Sequence, residues 1–129
     1  MPSTDAPDAP VWARRVGYLA LVALAGFQVW ALYLTVPEGG PDLLHGDKLV
    51  HAAMFAAPAA LAILLRMRWV VVLLVVHALA SEPLQAALTR SREADLWDTV
   101  ADVVGIVIGV AAAGRVRGRD NRQLTGARR

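Results

Sequence analysis

Four stretches of the chain are apolar and nearly free of charge, and shorter polar segments separate them. They cover about residues 16–36, 49–65, 69–88 and 96–114. A helix that crosses a hydrocarbon core of roughly 30 Å needs about 20 such residues, at about 1.5 Å of rise per residue. The pattern therefore predicts an all-α fold, namely a four-helix transmembrane bundle.

The two ends of the chain lack this pattern. Residues 1–15 are rich in proline and polar side chains, which predicts a disordered N-terminal tail. Residues 115–129 hold six arginines and no hydrophobic period, which predicts a basic C-terminal tail, also disordered and attracted to anionic lipid headgroups. Ala23 and Ala25 are compatible with signal-peptide cleavage, but the apolar run continues well beyond them and favours a membrane span.

Composition supports a membrane protein and removes several kinds of chemistry. Of the 129 residues, 57% are hydrophobic, which is too many for an ordinary soluble domain. There is no cysteine, so disulfides, iron–sulfur clusters, thiolate zinc sites and cysteine nucleophiles are excluded. Sequence fingerprints of P-loop, GxSxG and dinucleotide-binding proteins are absent, and the basic tail is too short to indicate a nucleic-acid partner.

The basic residues fall on one side of the predicted bundle. Four spans place Arg14, Arg15, Arg66 and Arg68 on the same side as the six tail arginines, which together make ten of the 13 basic residues. An excess of lysine and arginine marks cytoplasmic segments. We therefore predict a multi-pass protein of the cell (inner or cytoplasmic) membrane, with both termini in the cytoplasm.

Polar residues gather at the opposite, outer face. Asp95, Asp98, Asp102, Gly105 and Gly109 recur at spacings of three and four, so on a helix they form one stripe. A lone carboxylate inside a membrane costs about 2.5 kcal/mol or more, so these groups are expected to point inward and pair. The predicted ligand-binding or polar cluster comprises Asp47, Lys48, His51, Glu82, Gln85, Arg92, Asp95, Asp98 and Asp102.

The sequence leaves the pairing within this cluster open. Lys48 and Arg92 are candidate partners for the carboxylates of the fourth span, and His51 is a candidate partner for Glu82 or Asp102. His77 lies mid-span, about 140° from Glu82 on a helical wheel, and is predicted to be a separate buried hydrogen-bonding group.

The stripe has a structural and a functional interpretation. In the structural one its carboxylates hold helices together, and Gly105 and Gly109 permit close helix packing, within the chain rather than in a dimer. In the functional one the cluster is a headgroup or ion site. His51 and Asp47, four residues apart, are compatible with a metal site, but no HExxH or similarly dense ligand motif is present, so we predict neither metal nor cofactor.

Four motifs carry a family resemblance. DKLVH covers Asp47–His51, SEPLQ covers Ser81–Gln85, and R-x-x-D-x-x-D over Arg92–Asp98 precedes D-x-x-G-x-x-x-G over Asp102–Gly109. In this order and spacing they resemble the VanZ-like family of small bacterial integral membrane proteins, over about residues 43–112. The resemblance places Asp47, Lys48, His51, Glu82, Gln85, Arg92, Asp95, Asp98 and Gly105 at motif positions.

The chain departs from that family at two points. Asp102 stands where the family often has asparagine, which adds a charge. Thr89, Arg90 and Ser91 stand where the family has a Pro-Gly type turn, so the family's turn conformation is not expected in this chain.

The resemblance implies a cell-envelope setting, because the family's namesake is associated with antibiotic resistance, specifically low-level resistance to the glycopeptide teicoplanin. We expect a non-catalytic protein that binds an anionic envelope lipid or a peptidoglycan precursor. One alternative is an intramembrane enzyme on a lipid-linked substrate, with Glu82 or His51 as acid/base and Arg92 holding phosphate. Another is a small proton-coupled transporter with Glu82 and Asp102 as relay groups. The expected partners are the lipid bilayer and this ligand, and homo-oligomerisation stays open.

Overall fold

The structure of the protein is a computed structural model that describes residues 10–34, 46–88 and 96–126. Within these ranges the side chains of Asp47, Gln85 and Ala86, and those beyond Arg119 except Gln123, are outside the description. The described residues are helical and contain no strand, which confirms the all-α class. The elements are α1 (Val11–Val29), which passes into a π-helical turn (Trp30–Leu34), then α2 (Gly46–Leu64), α3 (Arg68–Leu88) and α4 (Leu96–Gly126).

α2 and α4 lie side by side and pack more extensively than any other pair of described elements. Near their first turns Lys48 contacts Asp98, at a sequence separation of 50 residues, and near the last turn of α2 Arg117 reaches the Ile63 carbonyl, at a separation of 54. Because the separation hardly changes, the two helices run in the same direction. α1 and α3 run in the opposite direction, because the chain reverses between successive helices.

Two glycines set the distance between α2 and α4. A Cβ atom built on Gly105 would clash with the Ala52 carbonyl and lie 2.9 Å from the Ala52 Cα, and one on Gly109 would clash with the Ala56 carbonyl. The two backbones therefore touch directly, as small residues permit in membrane helices. Because α2 occupies this face of α4, the close approach is an intrachain contact.

A small apolar core lies between the helices. Leu32 of the π-helical turn packs there with residues of α2, α3 and α4. Most large apolar side chains instead face outward: Leu19, Phe27, Trp69, Leu73, Leu79, Val107 and Ile108 are among those exposed. The buried core consists of Leu32, Phe55, Ala59, Leu74, Ala78 and Ile106.

The connection from α2 to α3 is a tight Schellman-type turn. The Met67 N–H donates to the Ala62 carbonyl at 2.8 Å, and the Arg66 N–H donates to the Ile63 carbonyl at 3.1 Å. Arg66 has φ 61°, in the left-handed region where helices are usually ended by glycine. The turn brings the start of α3 back along α2 within a few residues.

The first helix begins earlier than predicted. α1 starts at Val11, so the prediction of a disordered tail as far as residue 15 is wrong for Val11–Arg15. The physical reason is Pro10, which has φ −56° and whose carbonyl accepts hydrogen bonds from the Ala13 and Arg14 N–H groups at 2.9 and 3.2 Å. Pro10 is thus the N-cap residue, with an extended ψ of 146°, and its carbonyl accepts the first hydrogen bonds of the helix.

The last helix continues further than predicted. α4 extends to Gly126, so the prediction of a disordered tail from Arg115 is wrong for Arg115–Gly126. Extending an existing helix costs far less than starting one, and arginine favours helix. The hydrogen bond of 3.2 Å from Arg117 to the Ile63 carbonyl also ties this extension to the end of α2.

Two helices in the described ranges are long and apolar enough to cross a membrane. They are Val11–Leu34 and Leu96–Arg119, each of 24 residues, and Lys48–Leu64 is a shorter apolar helix. By length and composition, these segments correspond to the first, fourth and second predicted spans.

Candidate polar site at one end of the bundle

Polar side chains are buried where α2 and α4 begin and where α3 ends. The up-and-down order of the helices brings these ends together, with the end of the π-helical turn beside them. His51, Asp98 and Asp102 come from the first turns of α2 and α4, and Ser81 comes from α3. All are nearly excluded from the surface of the chain. The residues Lys48, His51, Ser81, Asp98 and Asp102 are called the polar site below.

Asp98 lies between two basic side chains. Its Oδ1 atom forms an ion pair with the Lys48 ammonium, and its Oδ2 atom lies 3.8 Å from His51 Nε2. The Lys48 side chain is 29% exposed, whereas that of Asp98 is 9% exposed. Lys48 is therefore the member of the polar site closest to the outside, and Asp98 connects it to the buried histidine.

His51 also contacts the second carboxylate of α4. Its Nδ1 atom is 2.9 Å from Asp102 Oδ1, and the side-chain exposures are 2% for His51 and 0% for Asp102. Ser81 lies on the other side of Asp102, with Oγ 3.4 Å from Oδ2, and donates its proton to the Ala78 carbonyl at 2.8 Å. With His51 protonated, the two cations and two carboxylates of the polar site balance in charge, which offsets part of the cost of burying them.

A second polar pair lies deeper. The Tyr33 hydroxyl and His77 Nε2 are 2.9 Å apart, and the Phe55 ring lies 5.6 Å from the His77 ring between centroids. Phe55 follows His51 by one helical turn on α2, so the pair lies about one turn below the polar site. His77 thus bonds Tyr33, while Asp102 acts on it electrostatically. The sequence did not identify Tyr33 as a polar partner, because His77 comes from another helix. The hydroxyl group in an otherwise apolar span was the feature that could have indicated it.

Glu82 is buried directly after Ser81 on α3. Glu82 and Asp102 both lie close enough to the Tyr33 hydroxyl to interact with it electrostatically. The sequence gives His51 two candidate acidic partners, Glu82 and Asp102, and in the structure Asp102 lies within hydrogen-bonding distance of its Nδ1 atom.

The structure describes the other predicted members of the cluster only in part. Arg92 and Asp95 lie outside the described residues. Asp47 and Gln85 lie on α2 and α3, in the same end turns as the polar site, but their side chains are outside the description.

Gln28 is a polar residue that sequence reasoning passed over. It lies on α1 with 1% exposure, and its Nε2 atom is buried without a hydrogen-bond partner in the described structure. A buried amide N–H without a partner destabilises the fold. Its presence in an otherwise apolar span was the signal that could have identified it.

The described residues contain no group of three or more histidine, aspartate or glutamate side chains arranged to hold a metal ion. Asp98 and Asp102 instead direct their oxygens at Lys48 and His51. Comparisons of the chain with protein-family models, with curated proteins and with solved structures found no match.

Proposed function

We propose that the chain is a multi-pass cell-membrane protein with four spans, VanZ-like in type. The supporting observation is an inverted distribution of polarity, with His51, Glu82, Asp98 and Asp102 buried and large apolar side chains exposed on every helix. Water disfavours such extensive apolar exposure, whereas hydrocarbon favours it and disfavours outward-facing charge. In the two long apolar helices, only 17% and 33% of an apolar stretch of 18 residues is buried, whereas a core helix of a soluble protein is mostly buried.

Charge supports one orientation of this bundle. The arginines at the starts of α1 and α3 and beyond the apolar part of α4 belong to the end opposite the polar site. The positive-inside rule assigns that end, with both termini, to the cytoplasm. The polar site then lies in the outer half of the membrane, where lipid-linked wall precursors and glycopeptides meet.

The polar site in this arrangement binds the anionic headgroup of an envelope lipid or a lipid-linked peptidoglycan precursor. Lys48 carries this assignment, because it is a partly exposed cation next to a buried acceptor and histidine. A phosphate group that binds the Lys48 ammonium competes with Asp98 for it. Asp98 then has a second partner within reach, since its Oδ2 atom is already 3.8 Å from His51 Nε2. The exchange lets the site accept an anion without leaving a buried carboxylate unpaired.

Binding of this kind changes susceptibility to glycopeptides, the setting that the VanZ-like motifs suggest. The test is the minimal inhibitory concentration of teicoplanin for cells that express the parent protein, Asp98→Asn or Glu82→Gln at equal membrane levels. Gly114→Ala is the matched control, because a Cβ at Gly114 meets nothing within 4 Å. The parent and the control should raise the inhibitory concentration, whereas Asp98→Asn in the polar site and Glu82→Gln beside it should not. Equal protection by all four proteins would contradict the site assignment.

Proton transfer is a second candidate function. Asp98, His51, Asp102 and Ser81 follow one another from the partly exposed Lys48 into the bundle, with neighbouring polar atoms 2.9–3.8 Å apart. A histidine between two carboxylates can receive a proton on one nitrogen and release one from the other. Membrane-embedded chains of acids and histidines serve as proton relays.

Proteoliposomes that enclose a pH-sensitive dye test this candidate. Under an imposed proton gradient the parent protein should acidify the lumen faster than His51→Gln does, because glutamine preserves hydrogen bonding but does not titrate. Identical rates for the parent, His51→Gln and protein-free liposomes would argue against a relay. Headgroup binding with no proton flux would leave the binding function in place.

A further inference from the structure

Seven arginines surround the end of the bundle opposite the polar site. They come from the first turns of α1, from the turn between α2 and α3, and from the last turns of α4, and six of them are exposed. We call this set the arginine surface: Arg14, Arg15, Arg66, Arg68, Arg115, Arg117 and Arg119.

Two contacts join these segments into one surface. A Cβ on Gly17 would lie 2.7 Å from Leu65 Cδ2, which places the first turns of α1 beside the α2–α3 turn. Arg117 donates to the Ile63 carbonyl at 3.2 Å, which places α4 beside the same turn. Residues far apart in sequence thus bring their guanidinium groups to one end of the molecule.

The two ends of the bundle differ sharply in charge. Every acidic side chain that the structure describes, namely Glu82, Asp98 and Asp102, lies at the end with the polar site. Asp120 follows Arg119 on α4, with its side chain outside the description. The arginine surface is therefore strongly cationic, and its positive charge exceeds the acidic charge carried by this part of α4.

We propose that the arginine surface binds the phosphate groups of anionic phospholipids in the cytoplasmic leaflet, an inference that rests on the proposed membrane placement. Guanidinium groups donate to phosphate oxygens in pairs and carry a fixed positive charge. α4 remains helical as far as Gly126, past the apolar segment that ends at Arg119. Arg115 and Arg119, one turn apart, are thereby held at headgroup level rather than on a disordered tail.

Binding of dioleoylphosphatidylglycerol to the detergent-solubilised full chain, measured by native mass spectrometry against dioleoylphosphatidylcholine, tests the inference. The test variants are R68Q/R115Q/R119Q and, as the charge-preserving control, R68K/R115K/R119K. R90Q is the control for a charge outside the arginine surface, because Arg90 belongs to the segment that connects α3 to α4 and to no predicted site. The parent should prefer the anionic lipid, and the glutamine triple variant should weaken its binding by roughly a hundredfold, at about fivefold for each charge removed. The lysine variant and R90Q should retain most of it.

Three outcomes would overturn the inference: equal binding of the two lipids, unchanged binding by the glutamine triple variant, or a loss in R90Q as large as that in the triple variant. Full displacement of the lipid by the same concentration of inorganic phosphate would also do so, because free phosphate would then be the ligand. If the triple variant does not fold, R115Q/R119Q replaces it, since it leaves the α2–α3 turn intact. Membrane fractionation of the expressed chain separates failure of the membrane proposal, in which the protein is recovered as soluble, from failure at this surface alone.

Discussion

His51 on α2 and Asp102 on α4 are joined by a hydrogen bond of 2.9 Å, and both side chains are almost fully buried. His51 directly precedes Ala52, and the Ala52 backbone touches α4 at Gly105. Polar pairing and close helix packing therefore act on the same stretch of two parallel helices. This proximity means that the polar site can both stabilise the bundle and provide its chemistry.

Substitution of Asp102 separates hydrogen bonding from charge. Asp102→Asn keeps an acceptor for His51 and the shape of the side chain, so its cost should be small. Asp102→Ala leaves His51 buried without that acceptor, which should cost about 1–3 kcal/mol of unfolding free energy. Chemical unfolding in detergent measures both variants. Equal destabilisation by asparagine and alanine would mean that the negative charge, rather than the hydrogen bond, holds α2 and α4 together.

Gly105 and Gly114 offer a matched comparison on one helix. Gly105→Ala places a methyl group against the Ala52 backbone, which cannot move aside like a flexible side chain, so we expect a loss of about 1–3 kcal/mol. Gly114→Ala meets nothing within 4 Å and should be neutral or stabilising by up to about 1 kcal/mol. Unfolding of the two variants under the same conditions gives the comparison, and similar stabilities would contradict the close helix packing.

Gln28→Leu should stabilise the protein. The substitution removes a buried amide whose Nε2 atom has no partner in the described structure, at nearly constant side-chain volume. We expect a gain of about 1–2 kcal/mol. Gln28→Glu is the opposing control and should destabilise the bundle, because it buries a charge. Thermal unfolding in detergent measures both, and a loss of stability in Gln28→Leu would indicate that the amide makes a contact that matters.

Arg66→Gly should raise the stability of the α2–α3 turn. Arg66 has φ 61°, a conformation that costs an L-residue roughly 1 kcal/mol and costs glycine almost nothing. The control is Arg68→Gly, in the first turn of α3, where glycine gives no such relief and weakens the helix. The melting temperature should rise in the first variant and fall in the second; a fall in both would contradict this account of the turn.

The helices could be predicted from sequence because long apolar runs determine them, whereas their ends could not. α1 starts at Val11 because Pro10 provides the first acceptor, and α4 continues to Gly126 because nothing stops an established helix there. Of the predicted stripe, the structure describes Asp98, Asp102, Gly105 and Gly109, and all four are buried on α4. The choice of Asp102 as the partner of His51 depends on how two helices are rotated against each other, which a sequence pattern does not contain.

Tyr33 and Gln28 are two further residues whose surroundings a sequence pattern does not reveal. Each is a single polar residue in an apolar span, and its meaning depends on what the neighbouring helices place against it. For Tyr33 that is His77 of α3, at 2.9 Å, whereas for the Gln28 Nε2 atom it is an environment without an acceptor. Two isolated polar residues that look alike in a hydropathy pattern therefore affect stability in opposite directions: the hydrogen bond of Tyr33 stabilises the fold, and the unpaired amide of Gln28 destabilises it.

Equilibrium binding of a polyprenyl pyrophosphate to the purified, detergent-solubilised protein tests the central proposal most directly. The parent and Gly114→Ala should bind it with the same affinity. Lys48→Met, which removes the ammonium that faces the outside but keeps the aliphatic chain, should weaken binding at least about tenfold, as expected for a lost charged contact to phosphate. Equal affinity in Lys48→Met, or no binding by a folded parent protein, would contradict headgroup binding at the polar site.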